Sequence, residues 1–231
     1  MKMKEKIKVK VDVVSDVVCP WCYIGKRRLE KAIDQLKDTH EFSVTYLPFE
    51  LNPLMPEKGM HQPTYLTKKF GSEEKYHQIT QNVSEVAATE GLSFRFDLQQ
   101  VSPNTRKAHM LLLLAIQQGK QNALKEALMK AYFTEGVDLS SEEKLIRLAE
   151  GVGVSGNLQH FLQTKANENH VVELEKQMQQ LGISGVPFFI INNKTGVSGA
   201  QPTATFLEIF TGLQKEQSLT EESCDVDGEN C

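Results

Sequence analysis

The sequence predicts an α/β protein in which a small sheet-forming domain is interrupted by a large all-helical insertion. Three observations lead there. Apolar residues alternate strictly near the N-terminus, a long middle segment repeats them only at helical spacing, and a short apolar run near the C-terminus returns to strand character. With 231 residues the chain can bury one elaborated core. Hydrophobic residues at 40% and charged residues at 24% match ordinary globular proteins, so neither disorder nor a membrane span is expected. The apolar run Leu111 to Ile116 is too short to cross a bilayer.

The elements follow in order. Ile7, Val9, Val11 and Val13 alternate with Lys8, Lys10 and Asp12, so the first strand buries one face. Leu29, Ala32, Ile33 and Leu36 then recur at helical spacing. Phe42, Val44 and Tyr46 alternate with Ser43 and Thr45 in a second strand, which Pro48 ends. From Thr64 to Leu181 the pattern is helical throughout. Gly91 and Gly119 close helices within it, and Ser140 with Glu143 has the form of a capping box that starts another. Gly182 caps the last of them. Pro187 to Asn192 reads as a buried strand, Asn192 to Gly196 as a turn, and Val197 and Ser198 as the start of a returning strand. A helix from Thr203 to Leu213, with Pro202 at its first turn, closes the folded part. The expected organisation is a first sheet part at 1–63, the helical insertion at 64–181, a second sheet part at 182–214 and a tail at 215–231. That tail carries Glu221, Glu222, Asp225, Asp227 and Glu229 and too little apolar surface to offset its ordering entropy, so it reads as mobile.

Chemistry concentrates at Cys19-Pro20-Trp21-Cys22, between the first strand and the first helix. Two cysteines at this spacing can close a small disulfide, and the unpaired amides of a helix start favour the thiolate of the first. Cys19 is the expected nucleophile. Cys22, one turn on and more buried, is placed to attack a mixed disulfide formed at Cys19. Pro20 suits a first turn, where its missing amide hydrogen would have had no partner, and Trp21 is expected on the surface a substrate meets. Spacing alone leaves two other readings open, ordinary buried cysteines or half of a zinc site.

Several segments now carry a resemblance. Cys19-Pro20-Trp21-Cys22 after Ser15-Asp16, Pro48-Phe49-Glu50-Leu51-Asn52-Pro53, Asn104-Thr105 with Ala108-His109, Tyr132-Phe133-Thr134-Glu135-Gly136, Gly185-Val186-Pro187-Phe188-Phe189 and Ser198-Gly199-Ala200-Gln201-Pro202 resemble the FrnE-like branch of the DsbA family. The resemblance runs through nearly the whole folded chain. It implies a thioredoxin fold with an inserted helical domain, a redox-active dithiol, and a cis peptide bond before Pro187. It also implies a cytosolic disulfide oxidoreductase or isomerase. A cis bond there would turn the Val186 backbone toward Cys19, where an extended substrate could add as a strand.

Cys224 and Cys231 can bridge each other in the acidic tail, and the resemblance implies a second redox pair there that feeds the first. Lys26, Arg27 and Arg28 read as a solvated helix face. Glu50 reads as a surface salt-bridge partner, with buried proton transfer as the alternative if its strand packs under Cys22. His109 reads as a hydrogen-bonded structural histidine. Met129 and Phe133 read as helix packing or as the wall of a substrate groove. A net charge of −4 gives no electrostatic basis for nucleic-acid binding, and the five lysines from Lys2 to Lys10 read as a solvated strand edge. No apolar run resembling a secretory signal precedes them, so a cytosolic address is expected.

Expected partners are disulfide- or thiol-containing proteins, with glutathione or a thioredoxin-type reductant as candidate electron source; no cofactor, metal or membrane is called for. Two alternatives stand beside dithiol exchange. One is a glutathione-dependent transferase or isomerase of the kappa or 2-hydroxychromene-2-carboxylate type, which would not need Cys22. The other is a zinc module built from all four cysteines.

Overall fold

The computed structural model describes residues 6–224, with side chains described through 213. Strand β1 (Ile7–Ser15) leads into helix α1 (Pro20–Leu36), which crosses over to β2 (His40–Pro48), parallel to β1 in a register that sets Ile7 opposite His40 and Ser15 opposite Pro48. The chain then leaves the sheet through β3 (Met60–His61), α2 (Gln62–Phe70), α3 (Glu73–Thr89), β4 (Val101–Ser102), α4 (Arg106–Gln117), α5 (Gln121–Phe133), α6 (Glu142–Gly151), α7 (Leu158–Gln163) and α8 (Lys165–Gln180). It returns as β5 (Phe188–Ile191), antiparallel to β1, followed by β6 (Thr195–Ser198) and α9 (Thr203–Cys224). Sheet order is β2-β1-β5-β6, a thioredoxin-like sheet carrying the helical insertion α2–α8.

Alternation decides how the sheet is covered. Val9, Val11 and Val13 of β1 and Phe189 and Ile191 of β5 face α1 and α9, whose Leu29, Ala32, Phe206 and Phe210 complete a core. Each buried Phe contributes about 1.5–3 kcal/mol through the apolar area it removes from water. Val14, Leu47, Phe188 and Ile190 lie on the opposite face with Met178 of α8 and Ile183. A third core fills the insertion with Leu111, Leu124, Leu128, Met129 and Phe133, and it extends to Cys19, Cys22, Tyr23 and Ile24. The start of α1 is thus a plug seated in the helical insertion.

Gly91, Gly119 and Gly182 take φ of 78°, 64° and 79° just past the ends of α3, α4 and α8, as their positions in the sequence imply. Four expectations change. The insertion is not wholly helical, because β3 and β4 pair as a ribbon whose strands of two residues are too short to show a period. Helix α6 is capped one residue later than expected, since Ser141 Oγ accepts from Lys144 N while Ser140 Oγ donates to Asp138 Oδ1 at 2.6 Å. Strand β5 is confined to Phe188–Ile191, because Asn192 and Asn193 enter the left-handed region at φ 49° and 57° and make the turn. Helix α9 continues past Leu213 to Cys224, through a stretch rich in Leu, Gln, Lys and Glu that favours helix, so the expected tail is helical as far as Cys224. Cys231 lies outside the described residues and the Cys224 side chain outside the described side chains, so the tail pairing does too. Among the described residues no helix is long and apolar enough to cross a membrane.

Candidate active site

Cys19 is the N-cap of α1, with extended backbone at φ −91° and ψ 114°, and Pro20 occupies the first turn. Cys22 N donates to Cys19 O at 3.1 Å and closes the turn that holds both sulfurs on one side of the helix. Both are free thiols. Cys19 is 4% exposed and Cys22 2%, so the first sulfur is more enclosed than the sequence suggests, and Trp21 between them projects outward at 43%. The Val186–Pro187 bond is cis, and Cys19 Sγ lies 3.8 Å from Val186 O, to which the thiol donates. Gly199 N donates to Pro187 O at 2.8 Å and ties β6 to this loop. Gly25 lets α1 approach it, since a Cβ there would lie 3.2 Å from Pro187 Cγ and 3.1 Å from Phe189 Cζ.

The segments quoted in the sequence converge around this turn. Leu51 N donates to Asp16 Oδ2 at 2.8 Å, and His109 Nε2, as the N–H tautomer, donates to Asp16 Oδ1 at 3.3 Å. His109 is a buried, hydrogen-bonded residue beneath the site. Burial opposes ionisation of Asp16, but the His109 and Leu51 bonds prevail and hold its carboxyl below the usual range. Asn104 Nδ2 donates to Met55 O at 2.8 Å, Tyr132 OH to Gln62 Oε1 at 2.6 Å, and Arg28 to Ala200 O at 2.6 Å.

Two expectations about charge are overturned. Lys26 is buried, not solvated, because α5 packs across α1 and presents Glu126. Tyr23 OH donates to Glu126 Oε1 at 2.6 Å, Lys26 Nζ to Oε2 at 2.8 Å, and Arg27 to both oxygens. Burial raises the Glu126 carboxyl, yet the bonds from Arg27, Lys26 and Tyr23 dominate and bring it down to about 2. Arg28 pairs with Glu90 at 2.6 Å. Glu50 is likewise buried rather than at the surface, because α4 supplies Arg106, 2.7 Å away, and α8 supplies Glu175, which accepts from Glu50 N at 2.6 Å. Desolvation and the Glu175 charge outweigh Arg106 and push Glu50 up to about 7.

Beside the turn lies a largely apolar cavity of about 130 Å³, whose lining includes Val18, Pro20, Leu51, Ile79, Phe96 and Phe133. Phe133 is therefore both core and cavity wall, whereas Met129 is core alone. On the other side, buried Lys125 reaches in from α5. Sequence reasoning passed over it together with Gln121 and Glu126. Among the described residues no cluster of three or more His, Cys, Asp or Glu is placed to hold a metal ion.

A two-cysteine turn capping the first helix, faced by a cis-proline loop on a sheet of this order, defines a thioredoxin-like dithiol protein. The chain belongs to the DSBA-like thioredoxin domain family, whose pattern matches residues 10–211. It is 34% identical to a probable DsbA oxidoreductase from Streptomyces coelicolor, with a TM-score of 0.82 over 90% of this chain and 91% of that one. It is 26% identical over 211 residues to the Bacillus subtilis protein YwbO, covering 90% of this chain and 99% of that protein. A 2-hydroxychromene-2-carboxylate isomerase shares the fold at 15% identity and a TM-score of 0.62, over 94% of this chain and 99% of that one.

Proposed function

We propose that the chain is a thiol–disulfide oxidoreductase or disulfide isomerase working by dithiol exchange. One observation carries the reading: two free thiols occupy one turn at a helix start, the first facing the Val186 carbonyl and the second sealed behind it. The Cys19 thiolate attacks a substrate disulfide, one substrate sulfur leaves with the electron pair, and a mixed disulfide remains. Cys22 then attacks Cys19 Sγ, the Cys19–Cys22 disulfide forms, and the second substrate sulfur leaves. The Val186–Pro187 backbone holds an extended substrate segment, Trp21 adds an apolar contact, and the cavity beside Pro20 takes an apolar side chain of that segment. Protein disulfides flanked by apolar residues are the favoured substrates. A glutathione-dependent isomerase would leave the second sulfur without a role.

The quoted motifs support the FrnE-like branch and action in a reducing compartment, where a two-cysteine turn serves exchange and not a static framework. The test is insulin-disulfide reduction with single variants. Cys19→Ser abolishes turnover, whereas Cys22→Ser accumulates substrate joined to Cys19, seen by intact mass. Full activity of the Cys19 variant overturns the assignment.

A further inference from the structure

The loop that faces Cys19 has few restraints of its own. Among the described residues the amides of Ser184, Gly185 and Val186 donate no hydrogen bond, and the loop is tied at its end by Gly199 N, which donates to Pro187 O at 2.8 Å. The position of Gly199 therefore sets that of Val186. Gly199 belongs to an arch, Ser198 to Thr203, that leaves β6 opposite Phe188 and enters α9. Gln201 closes the arch on itself, its N donating to Gly199 O at 2.9 Å and its side chain to Ser198 O at 2.8 Å. The arch in turn rests on α1. Thr203 Oγ1 donates to Arg28 O at 3.2 Å, a Cβ at Gly25 would lie 3.5 Å from Ala200 Cα, and the Arg28 guanidinium donates to Ala200 O at 2.6 Å. Arg28 is itself braced from α3. Its Nε donates to Glu90 Oε1 at 2.6 Å, and Lys31 holds the other Glu90 oxygen at 2.6 Å.

A guanidinium suits this task because its donors point in fixed directions in one plane, so one edge grips a carboxylate while another holds a carbonyl. Both partners are shielded, with side-chain exposures of 17% for Arg28 and 11% for Glu90, which favours charge-assisted bonds that hold their geometry. The guanidinium bonds neither sulfur, so it acts through the backbone it holds. We infer that Arg28, braced by Glu90, is a positioning residue for substrate recognition. It fixes Ala200 and Gly199, and through Pro187 O it sets the Val186 backbone beside Cys19 where an extended segment can pair with it. The unpaired Val186 N–H is the donor that such a segment takes up, while Val186 O faces Cys19 Sγ. Helix α3 thus serves recognition twice, through Ile79, Thr80 and Val83 in the wall of the cavity and through Glu90 behind the loop. A small disulfide without a peptide backbone has nothing to pair with Val186 and reaches Cys19 without this help.

The role assigned to Arg28 rests on the proposed dithiol exchange, and one experiment separates the two. The full chain carrying Cys22→Ser, Cys224→Ser and Cys231→Ser keeps Cys19 as its single thiol. It is mixed in a stopped-flow instrument with either of two mixed disulfides of nitrothiobenzoate, one with a peptide of about ten residues bearing a central cysteine among apolar residues, the other with 2-mercaptoethanol. The Cys19 thiolate attacks the peptide or mercaptoethanol sulfur, a new disulfide forms there, and coloured nitrothiobenzoate leaves with the electron pair of the broken bond. Absence of release from both compounds with Arg28 in place overturns the dithiol reading itself. With release established, Arg28→Met raises the half-saturating peptide concentration at least about fivefold, while the limiting rate and the mercaptoethanol rate each stay within about twofold. An unchanged half-saturation overturns the inference. So does an equal slowing of both compounds, which is what a loosened fold or a disturbed Cys19 gives. Should Arg28→Met not fold, Glu90→Ala takes its place with the same readings, since without its brace the guanidinium no longer fixes the arch.

Discussion

Replacing Glu126 by Gln tests whether the α1–α5 clasp holds the insertion onto the dithiol helix. The carboxylate lies at about 2 in the folded protein against 4.5 when unfolded. A unit of pKa is about 1.4 kcal/mol, so the full difference corresponds to roughly 3 kcal/mol. Glu126 keeps 31% of its side-chain exposure, and solvent screening reduces the expected contribution to about 2 kcal/mol. The sign follows from the lowered folded value: the contribution is complete above 4.5 and disappears as the pH falls through about 2. Urea unfolding of wild type and Glu126→Gln therefore separates the two proteins by about 2 kcal/mol at pH 7 and by less than about 1 kcal/mol at pH 3. A gap of equal size at both pH values refutes the electrostatic reasoning and leaves Glu126 as packing alone.

Two further outcomes follow from buried partners. Gln121→Leu strands the Tyr46 amide and carbonyl, both satisfied by one side chain, and costs about 2–4 kcal/mol in urea unfolding; a loss under about 0.5 kcal/mol removes Gln121 as a fastener. Glu50 has the opposite sign to Glu126. Its folded value is raised to about 7, so the stability that its neutral form supplies is complete below 4.5 and is lost as the pH rises through 7. Glu50→Gln therefore gains on wild type between pH 5 and pH 8 in thermal unfolding, and a constant difference across that window contradicts the raised carboxyl.

The strands and the dithiol turn were legible because each is local, whereas the cis bond before Pro187 followed only from the family resemblance. Alternation placed Val9, Val11 and Val13 on one face, and the two-residue spacing placed Cys19 and Cys22 on one helical turn. What escaped was set by contacts between distant segments. Lys26 looks solvated within α1 and is buried only because Glu126 arrives from α5, a hundred residues away. Glu50 looks like a surface acid until Arg106 and Glu175 close over it. Lys125 left a trace: Gln121, Lys125, Leu128 and Tyr132 follow helical spacing, so the lysine stands on the buried face of α5. A charge on such a face signals a buried role, though not which partner it serves.

The seating of the α1 plug in a core made mostly of later residues carries a consequence for synthesis. A nascent chain that has released only β1, α1 and β2 presents both sulfurs bare, since Leu124 and Leu128 of α5 and Val186 beside Pro187 have yet to emerge. Early on, then, the pair is reactive toward any passing oxidant, and it gains discrimination only when the far end of the polypeptide arrives to shelter it. Cysteine alkylation on stalled ribosomes should fall in two steps, first as α5 clears the exit tunnel and again as β5 docks beside β1.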